Sequence, residues 1–132
     1  MIEFRIAIVL GVGWGTTREE RYKTQAECWV REIASQKAVT SAGPVPLEGK
    51  IFEGKTAEKD AYEWMCRDYV QGAIVFPSRD ARSAAQAMLT RLKKSKLHEY
   101  IRVVIITDFP PYDEVATLDK SWIESIGWNN LV

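Results

Sequence analysis

Short runs of β-branched residues alternate along the chain with longer segments whose apolar side chains recur at helical spacing. The first run covers residues 2–10, and its second half, Ile6-Ala7-Ile8-Val9-Leu10, is apolar at every position. A strand of this kind is covered on both faces, as in the middle of a parallel sheet. The pattern therefore predicts that the first strand is central.

Three segments carry the apolar stripe of an amphipathic helix. In the first helix the stripe consists of Tyr22, Ala26, Trp29, Val30 and Ile33. We expect the second helix to begin after Thr56, its N-cap, and to end at Gly72. The third helix follows Ser78, whose hydroxyl is a predicted N-cap.

Two further apolar runs, residues 73–76 and 100–107, predict buried strands. The region from 36 to 55 is less regular. Lys37–Thr40 is a candidate short strand, residues 41–46 have the composition of a turn, and residues 47–53 alternate as an edge strand does. The strand register of this region is left open.

The order of these elements predicts the fold class. Strands alternate with helices, and Trp122 and Ile126, four residues apart, predict a short final helix. We therefore expect an α/β fold with a small, mostly parallel sheet of about four or five strands flanked by helices. Its small size favours a flavodoxin-like or reduced Rossmann-like sandwich. No linker or repeat interrupts residues 1–132, which predicts a single domain.

Composition agrees with a folded domain and excludes other classes. Of the 132 residues, 46% are hydrophobic and 27% are charged, as is typical of globular proteins. No apolar run approaches the roughly 20 residues of a membrane span, and residues 1–10 lack a secretory-signal pattern. We expect a cytoplasmic protein with no membrane partner. Cys28 and Cys66 lie in separate helical segments, which predicts free thiols.

Charge adds expectations about partners. Eighteen basic and eighteen acidic residues give a net charge of zero, so nucleic acid is not an expected partner. A neutral chain with five tryptophans favours self-association, which predicts a homo-oligomer. Because His98 is the single histidine, a cluster of histidine ligands is excluded. No metal site is predicted, and no cofactor is assigned.

The turn after the first strand, residues 11–17, is the strongest candidate for a binding site. Glycine lets the backbone approach an anion closely, and the start of the next helix offers free N–H groups. The candidate ligand-binding residues are Gly11, Gly13, Gly15, Thr16 and Thr17. The turn resembles the first-strand loops of flavodoxin-like and Rossmann-like domains. It departs from both, because the third glycine of G-x-G-x-x-G is replaced by threonine and no P-loop lysine follows. A tight turn that only packs Trp14 is the structural alternative.

The turns after the third and fourth predicted strands supply further groups. Ser78 and Arg79 follow one strand, and Asp108 and Tyr112 follow the other. Parallel strands bring these turns to one edge of the sheet, outside the carboxyl ends of the strands, where α/β folds bind ligands. Arg79 is predicted to neutralise an anion, and Asp108 to bind a hydroxyl or act as a catalytic base. Ser78 and Tyr112 complete the predicted ligand site. The structural alternative is that these residues only cap a helix and a turn.

Together these residues predict the binding of an anionic small molecule, a nucleotide or a phosphorylated metabolite, with catalysis left open. The alternative is a non-catalytic interaction or assembly domain that acts through an aromatic-rich surface. A third hypothesis is a metal-dependent nuclease, because Glu48-Gly49-Lys50 and Glu53-Gly54-Lys55 match the E-x-K fragment of such enzymes. The chain lacks an aspartate before Asp60 to act as the second acid of that site.

Overall fold

A computed structural model describes residues 4–79, 82–106 and 121–128, which form six strands and three α-helices. The strands are β1 (Phe4–Leu10), β2 (Lys37–Thr40), β3 (Gly43–Phe52), β4 (Val70–Phe76), β5 (Arg102–Ile106) and β6 (Ile123–Ile126). The helices are α1 (Thr16–Ala34), α2 (Ala57–Arg67) and α3 (Arg82–Lys94), and a 3₁₀ helix, Leu97–Glu99, precedes β5. No helix in the described part of the chain is long and apolar enough to cross a membrane.

All six strands belong to one sheet with the order β2-β3-β1-β4-β5-β6. β1 pairs in parallel with β3 and β4, and parallel pairing continues through β5 to β6. β2 and β3 pair antiparallel. The α/β class, the mostly parallel sheet and the central position of β1 are confirmed. The predicted number of four or five strands is wrong, because the sheet has six.

Two strands form in the region whose register was left open. β2 forms as expected, and it pairs only with residues 43–46 of β3. Residues 47–52 pair with β1 alone and so form the expected edge strand there. β3 begins at Gly43 and so includes Pro44 and Pro46, which the composition assigned to a turn. Residues 43–46 pair with β2 alone, since pairing with β1 starts at Leu47. A segment with one neighbouring strand tolerates prolines, which lack an N–H group to donate.

The sixth strand replaces the predicted final helix, which is wrong. Ile123–Ile126 is β6, and it pairs with β5 from Val103 opposite Ile123 to Ile106 opposite Ile126. A short apolar segment can form a helix or a strand. Here it forms a strand because it pairs with the side of β5 that β4 does not occupy. The expected end of the second helix is wrong as well. α2 ends at Arg67, and Gly72 lies inside β4.

Helices cover both faces of the sheet. Alternate residues of β1 point to opposite sides: Ala7 and Val9 pack with the side chains of α2 and α3, whereas Ile8 and Leu10 pack with those of α1. β3 and β4 flank β1 on its two sides, so the chain reverses its direction of winding there. The crevice at the carboxyl ends of β1 and β4 is therefore the topological switch point.

Phe76, at the end of β4, provides a test of the packing on the α1 face. It is fully buried, and its ring centroid lies 4.5 Å from that of Tyr22 and 5.8 Å from that of Trp29. We expect Phe76→Ala to lower the free energy of unfolding by about 3–5 kcal/mol in urea denaturation. Val39→Ala, at a side chain that is 91% exposed, is the control and should change it by less than about 0.5 kcal/mol. Equal effects of the two substitutions would contradict the packing.

Candidate functional site

The loops that follow β1 and β4 are joined by hydrogen bonds across the switch point. The Gly11 N–H donates to the Phe76 carbonyl (2.6 Å), and the Arg79 N–H donates to the Val12 carbonyl (2.9 Å). The Val12 N–H donates to Ser78 Oγ (3.0 Å). The pairing of the two strands thus continues past their ends, so these backbone groups are engaged within the protein.

Gly11 permits this close approach. A Cβ atom at position 11 would lie 2.2 Å from the backbone nitrogen of Ser78 and 2.3 Å from the backbone carbon of Pro77. Atoms at such distances overlap, and the neighbours are backbone atoms that cannot rotate away. The geometry therefore gives Gly11 a packing role, which the predicted ligand site did not include.

Ser78 is bonded to a buried carboxylate. Its hydroxyl donates to Glu58 Oε1 (2.9 Å), and its N–H lies 3.4 Å from the same oxygen. Ser78 is 1% exposed and Glu58 only 2%. Burying a carboxylate is costly unless it is hydrogen-bonded, and Ser78 provides that bonding. The hydroxyl predicted to contact a ligand or cap α3 is thus engaged inside the protein.

Another internal carboxylate occupies the glycine turn. Glu19 Oε2, from the first turn of α1, accepts hydrogen bonds from the N–H groups of Gly13 (3.0 Å) and Trp14 (3.1 Å). Gly13 has a φ of 98°, a conformation that favours glycine. The turn therefore has the geometry to bind an anion, and the anion that it holds is its own side chain.

A cavity of about 640 Å³ opens beside this turn, at the N-terminus of α1. Gly15 precedes the helix with a φ of 96° and a ψ of 153°, and no side chain caps the helix. Thr16 and Thr17 are exposed at the start of α1. We call this space the arginine cavity; its lining residues are Trp14, Gly15, Thr16, Thr17, Arg18, Arg21 and Trp128. Three of the predicted ligand-binding residues therefore line one cavity, with two arginines that the prediction did not include.

Trp14 brings a third arginine to the same place. The Cζ atom of Arg18 lies 5.2 Å from a ring centroid of Trp14, and that of Arg79 lies 5.9 Å away, within the range of cation–π contact. Trp14 is itself anchored, because its Nε1–H donates to the Pro77 carbonyl (2.6 Å). A single indole thus holds guanidinium groups from α1 and from the β4 loop beside the arginine cavity.

The remaining predicted residues do not add to this site. Asp108 and Tyr112 lie outside the described residues. Of the two nuclease fragments, Glu48 pairs with Arg5 (3.4 Å) and Glu53 pairs with Lys23 (3.4 Å). Within residues 4–79, 82–106 and 121–128 there is no group of three or more side chains suited to hold a metal ion.

The tryptophans do not form an exposed surface. Trp64, Trp122 and Trp128 are buried, and Trp14 and Trp29 are half-buried. Among the described aromatic side chains, the largely exposed ones are Tyr69 and Tyr100.

No protein-family model matches this chain, and no solved structure matches it significantly.

Two glycines provide a matched test of the contact between the loops. We expect Gly11→Ala to lower the free energy of unfolding by about 3 kcal/mol or more, because its methyl group would overlap the β4 loop. Gly72→Ala should cost less than about 1 kcal/mol, because the nearest atom to its Cβ would be 3.6 Å away. Urea denaturation measures both. If Gly11→Ala is tolerated as well as Gly72→Ala, the two loops are not in contact.

Proposed function

We propose that this protein binds an anionic small molecule, a nucleotide or a phosphorylated metabolite, in the arginine cavity. The observation that carries the proposal is the meeting of Arg18, Arg21 and the uncapped first turn of α1 in one space. Its volume of about 640 Å³ lies within the range of roughly 300–1,000 Å³ that is usual for ligand pockets.

The position of the cavity supports the same conclusion. The parallel strands follow the order β3-β1-β4-β5-β6, which is the order of a flavodoxin-like sheet if β2 and β3 are counted as one unit. We propose a flavodoxin-like arrangement on this basis. Such folds bind ligands at the switch point, and the arginine cavity lies beside the loop that follows β1.

Each group has a distinct proposed role. The hydroxyls of Thr16 and Thr17 and the N–H groups of the first turn of α1 bind the anion directly. Arg18, Arg21 and Arg79 neutralise it, and guanidinium groups suit phosphate because they donate two parallel hydrogen bonds. Gly11, Gly13 and Ser78 shape the loop without contacting the ligand. Whether Asp108 adds catalysis stays a prediction.

The site supports recognition of the phosphate more than recognition of a base. A nucleobase is commonly bound by stacking on an aromatic ring. Neither ring at this cavity is available for stacking, because the guanidinium groups of Arg18 and Arg79 lie against Trp14, and Trp128 is buried. We therefore expect the phosphate to supply most of the affinity. The interaction and nuclease hypotheses stay predictions, as does the homo-oligomer.

Inorganic pyrophosphate tests the proposal by isothermal titration calorimetry. We expect it to bind, and we expect Arg21→Gln to raise its Kd about tenfold, since a charge-assisted hydrogen bond is lost. Arg31→Gln, the same substitution near the other end of α1, should change the Kd less than about twofold. AMP and inorganic phosphate are titrated in parallel. Their Kd values show how much the nucleoside and the second phosphate add to the affinity.

Two results would count against the site. One is the absence of binding by pyrophosphate, AMP and phosphate at low ionic strength, where charge attraction is strongest. The other is an equal loss of affinity in Arg21→Gln and Arg31→Gln, which would indicate attraction to the general charge of the helix.

A further inference from the structure

Arg18, which lines the arginine cavity, contacts two aromatic side chains. Its Cζ atom lies 5.2 Å from a ring centroid of Trp14 and 5.5 Å from that of Tyr22, so both rings are within the range of cation–π contact. Its Nε–H also donates a hydrogen bond to the Tyr22 hydroxyl oxygen. Arg18 is half-buried, whereas Arg21, which lines the same cavity, is exposed.

The spacing of these residues along the chain produces the contacts. Trp14, Arg18 and Tyr22 follow one another at intervals of four residues, and residues four apart in a helix lie on the same face. Arg18 and Tyr22 belong to the first two turns of α1, and Trp14 lies just before the helix. The guanidinium group of Arg18 thus contacts one ring from the loop and one from the helix.

Tyr22 has a fixed position because its ring packs in the core. The residue is 2% exposed, and its ring centroid lies 4.5 Å from that of Phe76 and 5.1 Å from that of Trp128. Phe76 is fully buried, and the buried Trp128 also lines the arginine cavity. A ring enclosed by close-packed neighbours is held in place, so packing determines where the hydroxyl lies.

The hydroxyl of Tyr22 connects this core to the cavity. A buried tyrosine usually has a hydrogen-bonding partner for its hydroxyl, and a guanidinium group can only donate, so the Tyr22 oxygen is the acceptor. A flexible side chain such as arginine loses rotamer freedom when it binds a ligand, and this loss lowers the affinity. Because Arg18 is already restrained in the unbound protein, less of its freedom is lost on binding.

We infer that Tyr22 is a positioning residue of the anion site: its hydroxyl orients Arg18 toward a bound phosphate, and Tyr22 itself does not contact the phosphate. The inference rests on the proposed function of the arginine cavity, which Tyr22 does not line. It separates two roles of one side chain. The ring packs in the core, and the hydroxyl serves the binding site.

Tyr22→Phe tests the inference by isothermal titration calorimetry with pyrophosphate. The substitution keeps the ring and removes the acceptor for Arg18 Nε. We expect the Kd to rise about fivefold, because the guanidinium group is no longer held in the binding orientation. Tyr62→Phe is the matched control, since the ring of Tyr62 also contacts an arginine, Arg91 at 5.8 Å, but between α2 and α3. It should leave the Kd unchanged.

The Arg18→Gln background separates positioning from a general loosening of the core. If Tyr22 acts through Arg18, Tyr22→Phe has no further effect on the Kd once the guanidinium group is absent. We therefore expect Arg18→Gln and the double variant to bind pyrophosphate with affinities that agree within about twofold. A purely structural role of the hydroxyl would raise the Kd by the same factor in both backgrounds.

The Arg18 Nε–H signal provides a measurement that needs no Tyr22 variant. In ¹H–¹⁵N spectra of the full chain, the signal is assigned by its loss in Arg18→Gln. A hydrogen-bonded Nε–H exchanges slowly with solvent, so we expect this signal to be present without ligand and to persist when pyrophosphate is added. The Nε–H of Arg31, an exposed arginine of the same helix, should exchange faster.

Two calorimetric results would overturn the inference: equal Kd values for Tyr22→Phe and the unaltered chain, or an equal effect of Tyr22→Phe in both backgrounds. If Tyr22→Phe fails to fold, the exchange measurement decides, and an Arg18 Nε–H that exchanges as fast as that of Arg31 overturns the inference. These results leave the proposed function intact. That function fails on a different observation, the absence of pyrophosphate binding by the unaltered chain, and the inference then fails with it.

Discussion

The close contact between the β1 and β4 loops determines the shape of the carboxyl edge, which is the side of the sheet where the parallel strands end. It exists because Gly11 has no side chain to separate the two backbones. The contact places the Pro77 carbonyl within reach of the Trp14 indole, and the indole then holds Arg18 and Arg79. Two guanidinium groups at or beside the arginine cavity, those of Arg18 and Arg79, thus depend on a glycine that does not line it. The residue that shapes this site, Gly11, is therefore different from the residues proposed to contact the ligand.

Much of the fold was predictable from patterns that two-sided burial imposes. A run that is apolar at every position needs a layer on each face, and this alone indicated that β1 is central. The errors fell where local pattern is ambiguous. Trp122 and Ile126 satisfy helical spacing, yet pairing with β5 makes the segment a strand. Pro44 and Pro46 resemble turn residues, and only the absence of a second neighbouring strand permits them in β3.

The location of the candidate site could be predicted from the sequence. The contacts within the site could be predicted only in part. The turn at residues 11–17 does present N–H groups to a carboxylate, but sequence did not reveal that Glu19 supplies it. Arg18 and Arg21 were not among the predicted ligand-binding residues, because charges on a helix usually mark a solvated face. The burial of Glu58 depends on where the β4 loop packs, and no local pattern encodes that.

The two edges of the sheet meet their hydrogen-bonding requirements differently, as Gln71 shows at the edge where the parallel strands begin. Arg5 of β1 pairs with Val70, but Ile6 pairs with Gly72, so Gln71 is an extra residue that forms a β-bulge in β4. At the bulge the Arg5 N–H donates to the Gln71 side chain, whose amide carries both an acceptor oxygen and a donor NH₂ group. The fold therefore accounts for the oxygen of Gln71, and the nitrogen accompanies it. That nitrogen is buried at a desolvation cost of about 1–3 kcal/mol, which no described residue offsets.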